Sequence, residues 1–229
     1  LHQCILATSE LGICRKTTTR TITRAINVAA VIHRPIVFVD VETTGFSARD
    51  GRVIEIGAVR VENGQVVNTY SKLVDPGMDV SWQTTMVTGI RSEDVFGKVQ
   101  FRALVDELET FFDGALFAAH NVEFDYGFLK EEFARCGSKL SMDRFCTARL
   151  SKKLYPEHRS HSLDNVILRH GYKVVNRHRA LDDAQVIAQF FIEHLESQQQ
   201  KVFVELAKIQ KLARPLSEKP HLTYRPLFD

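Results

Sequence analysis

No apolar run in the chain approaches the ~20 residues that cross a bilayer as a helix, so no transmembrane segment is expected and the reading is a soluble, cytoplasmic protein. Cysteine is scarce. Cys4, Cys14, Cys136 and Cys146 form no CxxC pair and no Cys/His zinc spacing, which excludes a disulfide framework and a structural zinc site and predicts ordinary thiols in a reducing compartment. Charge of one sign is missing too. With 30 basic and 28 acidic residues the formal net charge is +2, so the chain is no bulk polycation and any contact with nucleic acid has to be local. No internal repeat is apparent.

What the chain does have is apolar content. Of its 229 residues 44% are hydrophobic, enough to bury one full core and leave appendages. The first 34 residues hold five basic residues against Glu10 alone, which leaves 25 basic and 27 acidic residues, a net of −2, for 35–229. This preface, with its RKTTTRTITR stretch, reads as a basic arm outside the core; an organellar transit-like peptide and an arm touching nucleic acid are the alternatives. The Leu start reads as a processed or truncated chain. The expected division is an arm over 1–34, a folded domain over 35–197, and a C-terminal helix with a Pro-punctuated tail over 198–229.

From Pro35 the pattern is regular. Strands are expected over 36–42, 52–61 and 66–74, the last two joined by a Glu62-Asn63-Gly64-Gln65 hairpin turn. A loop-rich stretch covers 75–98. Apolar residues at helical spacing predict helices over about 99–112, 123–135, 144–154, 162–170, 180–196 and 202–212, with a short strand at 115–119. Strands first, then strand–helix alternation, define an α/β domain with a mixed sheet.

Into the first strand, in FVDVETTG, the sequence inserts Asp40 and Glu42. Side chains alternate along a strand, so the two acids share a face. Buried side by side they repel each other and lose hydration, which is costly without a cation. A divalent metal answers that cost; a half-exposed strand with its polar face to water is the alternative. Asp125, in HNVEFD, lies in a helix's first turn, favoured there by the dipole, yet directly after a buried strand, where α/β sheets gather ligands. In HRALDDA, His178 precedes Asp183 by five residues at a helix entrance. Asp183 neighbours the apolar stripe of Ala184, Ile187 and Ala188, whereas Asp182 reads as solvated.

Phe38–Gly45, His120–Asp125 and His178–Asp183, in this order, resemble the three motifs of the DnaQ-like, DEDDh-type 3′→5′ exonucleases. TGI at 88–90 and HSLDNV at 161–166 also fit, and the resemblance covers about residues 35–196. It implies a ribonuclease H-like fold, a mixed β-sheet flanked by helices. It further implies two divalent ions, Mg²⁺ or Mn²⁺, on Asp40, Glu42, Asp125 and Asp183, and His178 as the general base of phosphodiester hydrolysis. Hard cations choose carboxylate oxygens, and four acids balance two such ions. A histidine's ordinary pKa of ~6.5 suits proton transfer near neutrality.

Thr43 and Thr44, in the turn after the strand, are placed to meet a terminal nucleotide, and Phe46 either stacks on the last bases or belongs to the core. In the family the His120-Asn121 pair lies beside the substrate channel; a local helix cap by Asn121 is the alternative. Residues 144–179 carry nine Lys/Arg against Glu157 and Asp164, a candidate phosphate track. The implied partner is nucleic acid with a free 3′ end, single-stranded DNA in first place, in polymerase proofreading or repair. An RNA-directed exoribonuclease and a non-catalytic scaffold in a polymerase complex are the competing readings. The tail, ending in Arg225-Pro226-Leu227-Phe228-Asp229, is a weak match to peptides that dock on sliding clamps, and residues 202–212 are a candidate contact for a polymerase subunit.

Overall fold

A five-stranded sheet in the order β3-β2-β1-β4-β5 organises the chain. A computed structural model describes residues 34–210, and the structural statements below concern those residues. β1 (Ile36–Thr43), β2 (Val53–Glu62) and β3 (Gln65–Leu73) form an antiparallel meander, and β4 (Leu116–Ala119) and β5 (Arg144–Cys146) add to β1 in parallel. Asn63 (φ 52°) and Gly64 (φ 78°) turn β2 into β3 in the left-handed region, the conformation that an Asn-Gly hairpin supplies at least cost.

The helices follow in chain order: α1 (Trp82–Thr88), α2 (Ser92–Val95), α3 (Val105–Phe112) after a 3₁₀ turn at Phe101–Leu104, α4 (Val122–Arg135), α5 (Thr147–Leu154), α6 (Leu163–His170), α7 (Ala180–Ser197) and α8 (Gln199–Gln210). Two differences from the sequence reading stand out. The loop-rich stretch 75–98 also holds α1 and α2, for which no helix was expected; Ser81 caps α1 by accepting from the backbone N–H of Thr84. The segment expected as one helix from 144 begins as β5 instead. Its three residues pair with β4, so a sheet edge overrides the local helical spacing.

Alternation along β1 sorts the core. Val37, Val39 and Val41 pack with α3 and α4, through Phe111, Phe112, Phe128 and Phe133, on one side of the sheet. Ile36 and Phe38 pack on the other with α7, through Phe190 and Phe191. Phe38 and Phe191 meet at 5.2 Å between ring centroids, and burying each ring contributes ~1.5–3 kcal/mol. Continuing the Phe38 face brings Asp40 and Glu42 to the α7 side. Val202 and Leu206 bury α8 against that same cluster.

Arg34, the last residue assigned to the arm, donates to Asp143 (2.6 Å) and to the Ala115 carbonyl (2.9 Å). The rest of the arm, and the clamp-like tail, lie outside the described residues. No described helix is long and apolar enough to cross a membrane.

Candidate active site

Three elements bring the four carboxylates together. β1 carries Asp40 and Glu42 toward its C-terminal end, and the first turns of α4 and α7 carry Asp125 and Asp183. Asp125 is held by an N–H···O bond from the Val41 backbone (3.2 Å), which ties α4 to the strand between the two acids. Asp125 and Asp183 are buried and Asp40 and Glu42 half-buried.

Burial and mutual repulsion dominate the electrostatics of the four acids. Burial first, then the charges of Asp125, Asp183 and Glu42, hold the Asp40 carboxyl well above its ordinary range, with Arg177 pulling the other way. Burial, then Asp183 and Glu55, pushes Glu42 up to about 8. Burial pushes Asp125 up to about 7, against the Val41 hydrogen bond, and Asp183 up to about 6, against Arg177.

Ligand atoms of Glu42, His178 and Asp183 lie within 4.8 Å of one another. Asp183 Oδ2 accepts from Arg177 Nη1, while its Oδ1 is buried with no hydrogen-bond partner. A buried carboxylate oxygen without a hydrogen-bond partner, among acids whose pKa values are raised, offers its lone pairs to a hard cation, so the donor set fits divalent metal.

The loop before α7 is under tension. His178 holds φ +63°, the left-handed region that costs a non-glycine residue ~1–2 kcal/mol. Burial, then the Arg177 charge, lowers its imidazole pKa, which favours the neutral, proton-accepting form. The Arg177 guanidinium spans the site, with Nε donating to Asp164 Oδ1 (2.7 Å) and Nη1 to Asp183.

Two buried acids that sequence reasoning did not single out position these elements. Glu55 of β2, 1% exposed, accepts from Arg179 Nη2 (2.6 Å) and from the backbone N–H of Ala180 (3.0 Å), fastening the first turn of α7. The signal was present: in RVIEIGAVRV, Glu55 shares its parity with Val59 and Val61, the residues that face α7. Glu132 of α4, fully buried, accepts from Arg52 Nε (2.7 Å) and Arg135 Nη1 (3.2 Å) and holds the end of α4 to the start of β2. Asp182 accepts from the Asn176 N–H (2.9 Å) and is half-exposed.

The expected substrate contacts divide. Thr43 is buried, its hydroxyl donating to the Gly45 carbonyl (2.7 Å), and Thr44 closes the turn by accepting the Arg52 N–H (2.9 Å). Phe46 is 95% exposed, so the core alternative is excluded. Across the same turn the Thr84 hydroxyl donates to the Thr44 carbonyl (3.2 Å), bringing up α1 with Trp82 and Met86 exposed on one face.

His120 is tied to the Thr147 hydroxyl (3.2 Å) and the His161 carbonyl (2.7 Å), and burial lowers its pKa to about 4. Asn121 is exposed and makes no side-chain cap bond, so the helix-cap alternative for it is not realised. Of the nine basic residues in 144–179, Arg144, Arg169, Arg177 and Arg179 are spent on internal partners. Arg149, Lys152, Lys153, Arg159 and Lys173 remain exposed.

A meander with two parallel additions, and acids converging at the end of its central strand, defines a nuclease-type α/β fold. Residues 37–191 match the exonuclease (RNase_T) family, and the chain belongs to that family. It is similar to the PolC-type DNA polymerase III of Thermotoga petrophila, 34% identical over 177 residues, which cover 77% of this chain and 13% of that protein. It is also similar to the 3′-5′ exonuclease DinG of Bacillus subtilis, 34% identical over 193 residues, covering 81% of this chain and 20% of DinG. The chain thus spans a fifth or less of these relatives. Among solved structures, the zinc-bound complex of Escherichia coli exonuclease I with single-stranded DNA aligns with a TM-score of 0.66 at 19% identity, over 75% of this chain and 42% of that one, a likeness of fold.

Proposed function

We propose that the chain hydrolyses the terminal phosphodiester at the 3′ end of DNA and releases nucleoside 5′-monophosphates, in proofreading or repair. The observation that carries this reading is the convergence of Asp40, Glu42, Asp125 and Asp183 around a carboxylate oxygen left without a partner. Those four residues would hold two divalent ions, Mg²⁺ or Mn²⁺, which supply charge stabilisation for the attacking and leaving oxygens of an in-line displacement. His178, neutral, left-handed in its backbone and with a ring nitrogen within 4.8 Å of carboxylate oxygens of Glu42 and Asp183, takes the proton of the attacking water. Asp125 is oriented by Val41, and Asp183 by the Glu55-anchored first turn of α7. Phe46 offers a bare ring in the turn after β1, and stacking one base on it is worth ~1–3 kcal/mol without sequence preference.

The catalytic unit is assigned to residues 35–197, the exposed basic residues after β5 serving as its phosphate track and the C-terminal segment as a contact for a polymerase subunit or clamp. The test is release of mononucleotides from 3′-labelled single-stranded DNA and RNA of matched sequence, with Mg²⁺ or EDTA. Asp40→Ala should abolish both metal binding and release, while His178→Ala should cut turnover ~10²–10⁴-fold with metal affinity kept. A strong preference for RNA would keep the mechanism and change the substrate. No release from either strand by metal-loaded protein would refute the reading.

A further inference from the structure

One carboxylate serves two arginines at the far end of α4. The Glu132 side chain is 1% exposed and pairs with both Arg52 and Arg135, so the group carries one uncompensated positive charge. That charge borders a cavity of about 250 Å³ whose wall includes Arg52, Arg135, Arg102 and Gln100. Arg52 commits Nε and Nη2 to Glu132 and one Nη1 hydrogen to the Pro76 carbonyl, which leaves two of a guanidinium's five N–H groups. Arg135 commits one Nη1 hydrogen to Glu132 and Nη2 to the Ala48 and Arg49 carbonyls, leaving Nε and one further N–H. Arg102, exposed, spends one long bond of 3.4 Å on the Arg135 carbonyl. The carboxylate on the wall, Asp75, already accepts from the Gly77 and Gly97 N–H groups at 2.9 Å each. Three guanidinium groups with spare donors around one cavity make a receptor for a tetrahedral oxyanion, which they can grip bidentately.

We propose that this cavity binds a phosphate group, supplied by the backbone of the nucleic-acid strand upstream of the 3′ end being hydrolysed. The source of the phosphate rests on the exonuclease reading; the chemistry of the site does not. Arg135 lies ten residues beyond Asp125 on α4, about 15 Å along the helix at a 1.5 Å rise per residue, farther than two adjacent nucleotides span. Through Arg135 the same cavity holds the loop that follows Phe46, so an occupied site steadies the turn beside the catalytic carboxylates.

The test compares the full chain with Arg102→Gln, an exposed position outside the catalytic cluster whose change leaves Glu132 paired. With metal withheld by EDTA, the variant should bind a 12-nucleotide single strand about tenfold more weakly at low salt. Its log K against log salt slope should shrink by about 0.7, the share of one phosphate on a single strand. Inorganic phosphate should protect the parent against thermal unfolding and not the variant. With Mg²⁺, hydrolysis of a dinucleotide too short to reach the cavity should be equal for the two proteins. Lost phosphate protection with unchanged 12-nucleotide affinity would keep the site and make a free phosphate its ligand. Unchanged affinity together with unchanged protection would overturn the proposal. Failure of both proteins to cleave the dinucleotide would count against the exonuclease reading alone, because the binding comparison does not depend on it.

Discussion

Gly57 stands opposite Asp40 in the β1–β2 ladder, beneath the first turn of α7. A Cβ placed there falls far inside 3.0 Å of the Ala180 carbonyl carbon and oxygen and the Leu181 nitrogen, all backbone atoms. Ordinary contact begins near 3.4 Å, so in Gly57→Ala the helix must back away by about 1 Å or more, and backbone atoms have no rotamer by which to yield. Two costs follow. Overpacking takes ~1–3 kcal/mol, and strain on the charge-assisted bonds from Arg179 and Ala180 to Glu55 takes up to ~1.5–3 kcal/mol for each bond lost. Asp183 rides on the displaced turn, and a misplacement of ~1 Å at a catalytic constellation costs on the order of 10²-fold in rate.

Thermal unfolding, calorimetric titration with Mn²⁺ and release of 3′-terminal nucleotides would each read one of these effects. The comparison variant is Gly127→Ala, mid-helix in α4 with nothing within 4 Å of the new methyl, which should stabilise by ~0.5–1 kcal/mol and leave the rate alone. A Gly57→Ala protein with parental melting temperature and parental metal affinity would refute the argument that close approach of α7 to β2 builds the site.

Arg177→Gln removes the cation that shares Asp183, so Mn²⁺ affinity at alkaline pH should rise about tenfold, close to 1.4 kcal/mol; an unchanged affinity would mean that the guanidinium does not compete. Glu55→Gln leaves the Arg179 charge unpaired and should cost ~1–3 kcal/mol in chemical denaturation. Phe46→Ala should raise KM for single-stranded DNA with little change in melting temperature, since the ring is bare; a large loss of stability would contradict its exposure. His120 supplies a pH test. Its folded pKa of about 4 lies below the ordinary value of 6.5, so between those values the unfolded chain binds more protons and stability falls as pH drops from 6.5 toward 4. The loss is on the order of 3 kcal/mol, and His120→Gln should remove that part of the acid-side slope.

The grouping of the four acids was legible because they break local rules. Asp40 and Glu42 interrupt a strand otherwise fit for a core, and two acids on the buried face of a strand have no structural reason to be there. Asp183 could be told from Asp182 because helical periodicity puts only one of them beside the apolar stripe, and the structure buries that one. The positioning acids obeyed local rules and so escaped notice. Glu55 reads as an ordinary polar residue in an alternating strand, and Glu132 as the polar side of an amphipathic helix. Glu55 is paired with an arginine 124 residues away, and Glu132 with one 80 residues away besides its neighbour Arg135; the long-range pairs fall in no window of ten residues. β5 was missed for a related reason, since its strand character comes from β4 and from nothing in Arg144–Cys146 itself.

The same distinction explains how the site is built. The four carboxylates repel one another, and β1 alone cannot hold them in place. α4 is held at one end by the Val41–Asp125 bond and at the other by Glu132 on Arg52, while α7 is held by Glu55 and by the missing side chain of Gly57. Two of those anchors are buried carboxylates paired with arginines, costly to desolvate and costlier to break. Both attach to β2, the strand beside the acids. The repulsion at the centre is therefore opposed by charge pairs set one strand away, and the acids stay close together because β2, which carries none of the four, fixes the helices on both sides of the sheet.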